Sequence, residues 1–263
     1  MDLTGRTALV TGSNRGIGKA ILEALAREPL ALLLAGMRSP DKFEEPPVAR
    51  AKEVRPVAID LSSRQAIDDS VAGLGELASG IDLIVNNAGL VTGGLLEEQE
   101  LDQIYAMLQV NLTGVIHLTQ AVLPGMIERG AGKVVNNASI SGYAYFPAAT
   151  TYAASKAGVV AFTESLRREL QGTGVTTLHL VTPGVNTDML DATEDAYGRY
   201  LDTSDWQKQE SDEWAAKVVG AIRDDSTVLS PGGKTAIAKL ASRGPAFLMD
   251  RISGRMFSRT PRG

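Results

Sequence analysis

A chain of 263 residues, of which 44% are hydrophobic and 22% charged, has enough apolar material for one large globular domain. It contains no cysteine and only two histidines, which argues against disulfides, thiolate sites and a multi-histidine centre, so we expect no bound metal. The first residues lack the pattern of a signal peptide, and no apolar run has the length of a membrane span. We therefore expect a cytoplasmic protein.

Apolar runs of strand length alternate with longer segments of helical periodicity. Strands are predicted at 6–11, 31–36, 54–59, 81–86, 133–138, 175–181 and 226–230. Helices are predicted at 16–27, 66–78, 97–126, 151–171 and 210–222. The pair Pro46-Pro47 interrupts any helix after the second strand. The alternation predicts a single doubly wound α/β domain, with a parallel sheet of about seven strands flanked by helices.

A glycine-rich turn joins the first strand to the first helix. It reads Thr11-Gly12-Ser13-Asn14-Arg15-Gly16-Ile17-Gly18. Gly12 permits a tight turn, Gly16 lets the backbone approach a pyrophosphate, and Gly18 lets the helix pack closely on the sheet. The helix N-terminus adds free N–H groups and the positive end of its dipole. The turn predicts a dinucleotide site, although a plain strand-to-helix connection has the same pattern.

The end of the second strand indicates which dinucleotide binds. The strand ends Gly36-Met37-Arg38-Ser39, with no acidic residue at its tip. An acidic residue there would suit the ribose hydroxyl of NAD, whereas an arginine suits the 2′-phosphate of NADP. Arg38, helped by Arg15, can grip a phosphate with two hydrogen bonds. We therefore favour NADP(H) over NAD(H). NAD(H) remains the alternative, because the acidic residue Asp41 lies close to the strand end in the sequence.

Tyr152 and Lys156 are four residues apart at the start of a predicted helix, which places them on one face. A neighbouring ammonium is expected to lower the pKa of the tyrosine, which can then exchange a proton with a carbonyl or an alcohol. Ser139 follows the fifth strand, whose end lies at the same sheet edge as the glycine-rich turn, and it can hydrogen-bond the substrate oxygen. Alone, the tyrosine–lysine spacing is common by chance.

Together these motifs resemble the short-chain dehydrogenase/reductase family in its compact branch. The matching marks, in family order, are Thr11-Gly-x-x-x-Gly-Ile-Gly18, Asp60, Asn86-Asn-Ala-Gly89, Asn111, Ser139, Tyr152-x-x-x-Lys156 and Pro183-Gly184. The resemblance implies that Asn111 joins the catalytic set by holding a water that links Lys156 to solvent. It also implies further cofactor contacts, from Asp60 and Leu61 near the adenine, from Asn87, Ala88 and Gly89 after the fourth strand, from Tyr152 and Lys156, and from Pro183, Gly184, Val185 and Thr187 near the nicotinamide.

The sequence departs from the family pattern in three places. The stretch 136–139 reads Asn-Asn-Ala-Ser, where the family usually has an apolar residue and a second serine. The loop 183–187 is one residue shorter than usual, which makes the role of Thr187 less secure. The C-terminus lacks the common Asp-Gly-Gly ending. The resemblance implies a homodimer or homotetramer that packs the helices near 100–126 and 152–171 across a twofold axis.

The chain divides by charge. Residues 1–230 form the predicted Rossmann-fold and catalytic domain, whereas 231–263 is a basic amphipathic C-terminal tail with seven basic residues and one acidic residue. We expect the tail to pack on the acidic body of its own or a neighbouring subunit, and an anionic membrane surface is the alternative. We expect no nucleic acid partner.

The predicted function is reversible hydride transfer between NADP(H) and a small-molecule carbonyl or secondary alcohol. Specificity should come from the loops 90–96, 141–149 and 188–206, whose aromatic residues favour an apolar substrate. One alternative is reduction of a 3-oxoacyl thioester. Another is a non-catalytic NADP(H)-binding regulator, which should lack part of the set Asn111, Ser139, Tyr152 and Lys156.

Overall fold

The fold is taken from a computed structural model that describes residues 1–203, 208–232, 250 and 254–260, except for the side chains of 193–195. Its strands are β1 (Thr7–Thr11), β2 (Leu32–Met37), β3 (Val54–Ala58), β4 (Leu83–Asn86), β5 (Gly132–Asn137), β6 (Val175–Leu180), β7 (Gly184–Val185), β8 (Lys208–Gln209) and β9 (Val228–Leu229). Seven of them form one parallel sheet in the order β3-β2-β1-β4-β5-β6-β9. The predicted doubly wound sheet is confirmed.

Helices cover both faces of this sheet. They are α1 (Gly16–Ala26), α2 (Arg64–Leu74), α3 (Leu77–Gly80), α4 (Leu101–Leu108), α5 (Gly114–Glu128), α6 (Thr150–Glu169), α7 (Asp188–Gly198) and α8 (Ser211–Arg223). One apolar core joins Ile21 of α1 and Trp214 of α8 to one face. The other core joins Ile67 of α2, Leu118 of α5 and Leu166 of α6 to the opposite face. Continuous burial on both faces explains why the central strands are apolar at nearly every position.

The long helix predicted at 97–126 is divided in the structure. A short 3-10 turn at Leu96–Glu98 precedes α4, and a π-helical turn at Gln109–Thr113 separates α4 from α5. The N–H of Gly114 donates to the carbonyl of Gln109, five residues back. The helix predicted at 66–78 ends at Gly75, whose φ of 56° interrupts it. By length and composition Leu101–Glu128 could cross a membrane, yet Leu118 and Val122 are fully buried in the core.

Three elements after β6 were not predicted. Helix α7 follows Thr187, and β7 pairs with β8 in a separate two-stranded sheet. Helix α7 lies in the predicted substrate loop 188–206, whereas β7 lies in the loop expected to border the nicotinamide and β8 follows the substrate loop. Between β2 and β3, all of whose residues the structure describes, the chain forms only a 3-10 turn at Pro40–Lys42, as the proline pair predicts. Most of the predicted tail (233–249, 251–253 and 261–263) lies outside the described residues.

Candidate active site

The carboxyl ends of the parallel strands open onto a cleft of about 1150 Å³. Such an edge is where ligands bind in open α/β sheets, since the connections diverge there. The predicted residues that line the cleft are Gly12, Asn14, Arg15, Gly16, Ile17, Gly18, Arg38, Asp60, Leu61, Asn87, Ala88, Gly89, Ser139, Tyr152, Lys156, Pro183, Gly184, Val185 and Thr187. The fold therefore brings nearly all of the predicted set to one surface.

The glycine-rich turn has a shape that side chains would obstruct. Gly12 has a φ of +66°, and a Cβ there would lie 2.9 Å from Cα of Ala88. A Cβ on Gly18 would overlap the carbonyl oxygen of Gly12 and Nδ2 of Asn87. The turn is therefore a backbone cradle at the N-terminus of α1, and this geometry fits a pyrophosphate.

Ser13 is the predicted cofactor residue that does not line the cleft. Its hydroxyl donates to the carbonyl of Gly36 at 3.1 Å, and the residue is 2% exposed. This bond ties the turn to the end of β2, so Ser13 shapes the turn from behind. Its backbone N–H also donates to the same carbonyl, at 3.2 Å.

Cations dominate the part of the cleft beyond β2. Arg15 and Arg38 are exposed on its wall, together with Ser39 and Lys42. Asp41, the acidic residue that kept NAD(H) open, is not part of this wall. Lys42 was missed by sequence reasoning, because its segment carried no regular pattern. The sequence signal that could have identified it is its spacing of four residues from Arg38; in the structure it is the last residue of the 3-10 turn.

A chain of hydrogen bonds links four strand ends under the cleft. Asn87 Nδ2 donates to the carbonyl of Thr11 at 3.1 Å, and Asn137 Nδ2 donates to Oδ1 of Asn87 at 2.9 Å. The hydroxyl of Thr182 donates to Oδ1 of Asn137 at 2.5 Å. These bonds cross from β1 to β4, β5 and β6, and they hold the cleft floor in one arrangement. The side chain of Asn137 was not predicted to take part.

Ser139, Tyr152 and Lys156 meet above this floor. Nζ of Lys156 lies 5.8 Å from the ring centre of Tyr152 and donates to the carbonyl of Asn137 at 2.8 Å. Burial raises the pKa of Tyr152 to about 12, while a hydrogen bond with Ser139 acts in the opposite direction. Burial lowers the pKa of Lys156 to about 8. The pKa of Tyr152 thus shifts upward, opposite to the lowering expected from the sequence, because burial outweighs the hydrogen bond with Ser139.

Asn111 lies behind the cleft wall, in the π-helical turn, and is 1% exposed. Its side chain accepts from the N–H of Leu90 at 2.7 Å and donates to the carbonyl of Leu90 at 2.8 Å. It also donates to the hydroxyl of Ser155 at 3.2 Å. The amide therefore ties the loop after β4 to α6, next to Lys156 in the chain. π-Turns often mark functional sites. The apolar periodicity of the sequence did not predict this one.

The remaining wall is mostly apolar. Of the aromatic candidates, Phe146 and Tyr197 line it, as does Met189. Tyr143 bonds instead with His179, and Tyr145 is 63% exposed. Trp206 lies outside the described residues. Met256, from near the C-terminus, lines the wall although sequence reasoning gave it no place there.

The sequence matches a family model described as short chain dehydrogenase over residues 6–198. Among curated relatives, the 3-oxoacyl-[acyl-carrier-protein] reductase FabG of Vibrio cholerae is 35% identical over 196 residues, which is 74% of this chain and 80% of the relative. Ketoacyl reductase HetN of Nostoc is 34% identical over 184 residues, which is 69% of this chain and 64% of the relative.

Solved structures give a similar result. A short chain dehydrogenase from Burkholderia cenocepacia in complex with NADP has a TM-score of 0.79 and 25% identity, and the match covers 98% of this chain and 100% of that one. A putative NAD(P) dependent gluconate 5-dehydrogenase from Beutenbergia cavernae with bound NADP has a TM-score of 0.71 and 27% identity, with coverage of 86% and 94%. The chain therefore belongs to the short-chain dehydrogenase family and is an oxidoreductase.

Proposed function

We propose that this oxidoreductase uses NADP(H) to reduce the carbonyl group of an apolar small molecule to an alcohol. One observation carries the proposal: Ser139, Tyr152 and Lys156 line the same cleft as the glycine cradle. A hydride donor held in the cradle would thus share a cavity with a proton donor. When bound, the nicotinamide supplies the hydride that reduces the carbonyl carbon.

The protein's own groups bind and protonate the substrate. Ser139 holds the substrate oxygen by a hydrogen bond, and Tyr152 donates its phenolic proton to that oxygen. Because the pKa of Tyr152 is raised to about 12, the phenol is protonated at neutral pH, which favours the reducing direction. Lys156 holds the ribose next to the nicotinamide and, as an ammonium, stabilises the phenolate that remains. Asn111 is proposed to hold a water that links Lys156 to solvent, as the family resemblance implies.

Preference for NADP(H) rests on the cations beyond β2. Arg15 and Arg38 would bind the 2′-phosphate, and Lys42 lies on the same wall. Asp60 and Leu61 would border the adenine. Two solved relatives are described with bound NADP, which supports this choice. Residues 183–185 and Thr187 would border the nicotinamide amide.

Reduction of a 3-oxoacyl thioester is a second candidate, supported by the name of the Vibrio cholerae relative. A regulator without catalysis is disfavoured, because the four catalytic positions are all kept. We propose a homo-oligomer built on α4, α5 and α6, as the family resemblance implies. We propose that residues 1–230 carry the cofactor and catalytic sites.

The test is a panel of ketones, aldehydes and 3-oxoacyl thioesters. For each compound, turnover by wild type and by Tyr152→Phe is measured as the loss of NADPH absorbance. Turnover that Tyr152→Phe reduces by about 100-fold or more supports the mechanism, given the usual contribution of general acids. Undiminished turnover in this variant would refute the mechanism. Tight NADPH binding without turnover of any compound would favour the regulator.

A further inference from the structure

A short C-terminal segment, residues 254–260, packs beside the cleft as part of the same chain. We call it the strap. The N–H of Asp202 donates to the carbonyl of Met256 at 2.8 Å, and the N–H of Ser258 donates to the carbonyl of Tyr200 at 2.8 Å. Leu201 and Phe257 form an antiparallel bridge between these bonds. The strap is therefore paired through its backbone with the chain that follows α7.

Side chains tie this assembly to the loop before α4. Arg259 of the strap forms an ion pair with Glu97. The hydroxyl of Tyr200 donates to both carboxylate oxygens of Glu98, at 2.9 and 2.7 Å. Neighbouring acidic residues of one loop thus hold the strap and its partner segment. The strap thus contacts the chain after α7 through its backbone and the loop before α4 through an exposed ion pair.

Apolar packing completes the contact. Met256 and Phe257 pack against a small core separate from the two cores of the sheet. Its buried members are Leu95, Ala148, Ala149, Tyr197, Tyr200 and Leu201. A Cβ on Gly93 would overlap the ring of Tyr197, so this ring has a close-fitting place. The core is therefore well packed, and Met256 is held at its edge on the cleft wall.

The charge of the cleft indicates what this wall would contact. Among the described residues that line the cleft, four basic side chains lie at the cofactor end, on the turn before α1, on α1 and after β2: Arg15, Lys19, Arg38 and Lys42. The fifth is Lys156 of α6. The charged residues that α7 and α8 add to the cleft are acidic, namely Asp188 and Asp212. Met256, Phe146 and Tyr197 line the same cleft and offer apolar surface, which suits an uncharged apolar substituent.

We infer that the strap is the specificity-determining wall of the substrate site, and that Met256 contacts the apolar substituent of the carbonyl substrate. The inference rests on the proposed function, which it makes more specific. Uncharged ketones whose side chain is long enough to reach Met256 are the preferred substrates. Short ketones bind without this contact, so they react less efficiently. The strap acts on the substrate and leaves the cofactor end of the cleft unaffected.

The experiment compares methyl ketones from butanone to nonan-2-one with the full-length chain. Met256→Ala is expected to lower kcat/KM for nonan-2-one about 10-fold, the value of one or two lost methylene contacts, and to change butanone less than about twofold. The KM for NADPH should stay the same. Met256→Leu should restore the preference for long ketones, because its volume is similar. Equal losses for every ketone, or no loss for any, would overturn the inference.

The ion pair between Arg259 and Glu97 allows a second, independent experiment. Arg259→Glu should lower kcat/KM for nonan-2-one about three- to fivefold through repulsion from Glu97, and the exchange Glu97→Arg with Arg259→Glu should restore it. Arg255→Ala is the matched control, because Arg255 is an exposed arginine of the strap. It should behave as wild type. Failure of the exchange to restore the preference would contradict the role of this anchor.

Calorimetric binding of nonan-2-one in the presence of NADP⁺ separates the two proposals, because it needs no turnover. Weaker binding by Met256→Ala supports the strap even if no ketone is reduced, a result that would contradict only the proposed function. Unchanged binding by Met256→Ala, together with turnover that depends on Tyr152, would contradict only the strap.

Discussion

The ammonium group of Lys156 donates a hydrogen bond to the backbone carbonyl of Asn137, with 2.8 Å between Nζ and the oxygen. The side-chain amide of Asn137 also bonds with Asn87 and Thr182. Its backbone thus holds the proposed catalytic lysine while its side chain holds the strand ends. The position of the lysine and the spacing of the cleft floor are therefore linked through one residue.

Replacement of Asn137 by leucine tests this link, since it removes the amide at similar volume. It leaves Asn87 Oδ1 and Thr182 Oγ1 without their partner, and such a loss costs about 1–3 kcal/mol in the free energy of unfolding. We also expect kcat to fall about 10-fold, because a displaced carbonyl no longer holds Lys156 well. Urea denaturation and steady-state assays measure the two effects.

The control for that variant is Gln65→Leu, which removes an exposed amide that bonds Asp69 on α2. It should change stability by less than about 0.5 kcal/mol. A purely structural role for Asn137 would lower stability while kcat and its pH profile stayed as in wild type.

The pH dependence of catalysis should report Lys156. Burial lowers its pKa to about 8, so its ammonium is lost as the pH rises through that value. We expect kcat/KM for NADPH in carbonyl reduction to be level below pH 8 and to decline above it, because this ratio reflects the enzyme before the cofactor binds. Measurements from pH 6 to 10 at a fixed ketone concentration give the profile. A level profile up to pH 10 would be inconsistent with this role.

The same shift has a consequence for stability. The folded pKa of about 8 lies below the ordinary value of 10.5, so burying the charged lysine destabilises the fold below pH 8. Lys156→Met removes that cost and should be more stable than wild type at pH 7, by up to about 3 kcal/mol at 1.36 kcal/mol per pKa unit. The difference should shrink as the pH rises from 8 to 10.5. Urea denaturation at several pH values measures it, and a less stable variant at pH 7 would argue against the burial cost.

Arg38 should determine the choice of cofactor. Loss of a charge-assisted contact with a phosphate costs about 1.5–3 kcal/mol, so Arg38→Ser should raise the KM for NADPH about 10- to 100-fold. The KM for NADH should change little. Arg27→Ser is the control, since Arg27 is an exposed arginine just after α1 that does not line the cleft. Equal or better use of NADH by wild type would contradict the assignment of NADP(H).

Gly18 should tolerate no side chain. A Cβ there overlaps the carbonyl of Gly12 and the amide of Asn87, so Gly18→Ala must displace the cradle. We expect it to abolish NADPH binding, as measured by fluorescence titration. Gly220→Ala is the matched control, because Gly220 is a glycine of α8 with open space around its Cβ position. It should stabilise the protein by about 0.5–1 kcal/mol. NADPH binding retained by Gly18→Ala would show that the cradle does not hold the cofactor.

Local patterns were sufficient to predict the seven strands of the main sheet and the glycine-rich turn. The run Leu32–Met37 is buried at every position, so its residues alone indicate an interior strand. The spacing of Tyr152 and Lys156 predicted a shared helix face, and the helix places both on the cleft. Chain order then brought Ser139 to the same edge, because all seven strands of the main sheet run parallel.

Other features depend on contacts between distant parts of the chain. The hydrogen bonds of Asn137 reach 50 residues back and 45 residues forward, and no local pattern encodes them. The direction of the pKa shift of Tyr152 depends on how much surrounding chain buries the phenol. The π-turn around Asn111 has the same apolar spacing as an ordinary helix, so periodicity could not detect it.

By itself, then, the sequence determined the alternating elements, the cradle glycines and the family, since these depend on residues close together in the chain. The tertiary structure alone decided that Lys156 bonds to Asn137 and that Met256, 104 residues after Tyr152, lines the same cleft. The physical reason is that side-chain burial and hydrogen-bond partners are set by packing across the fold.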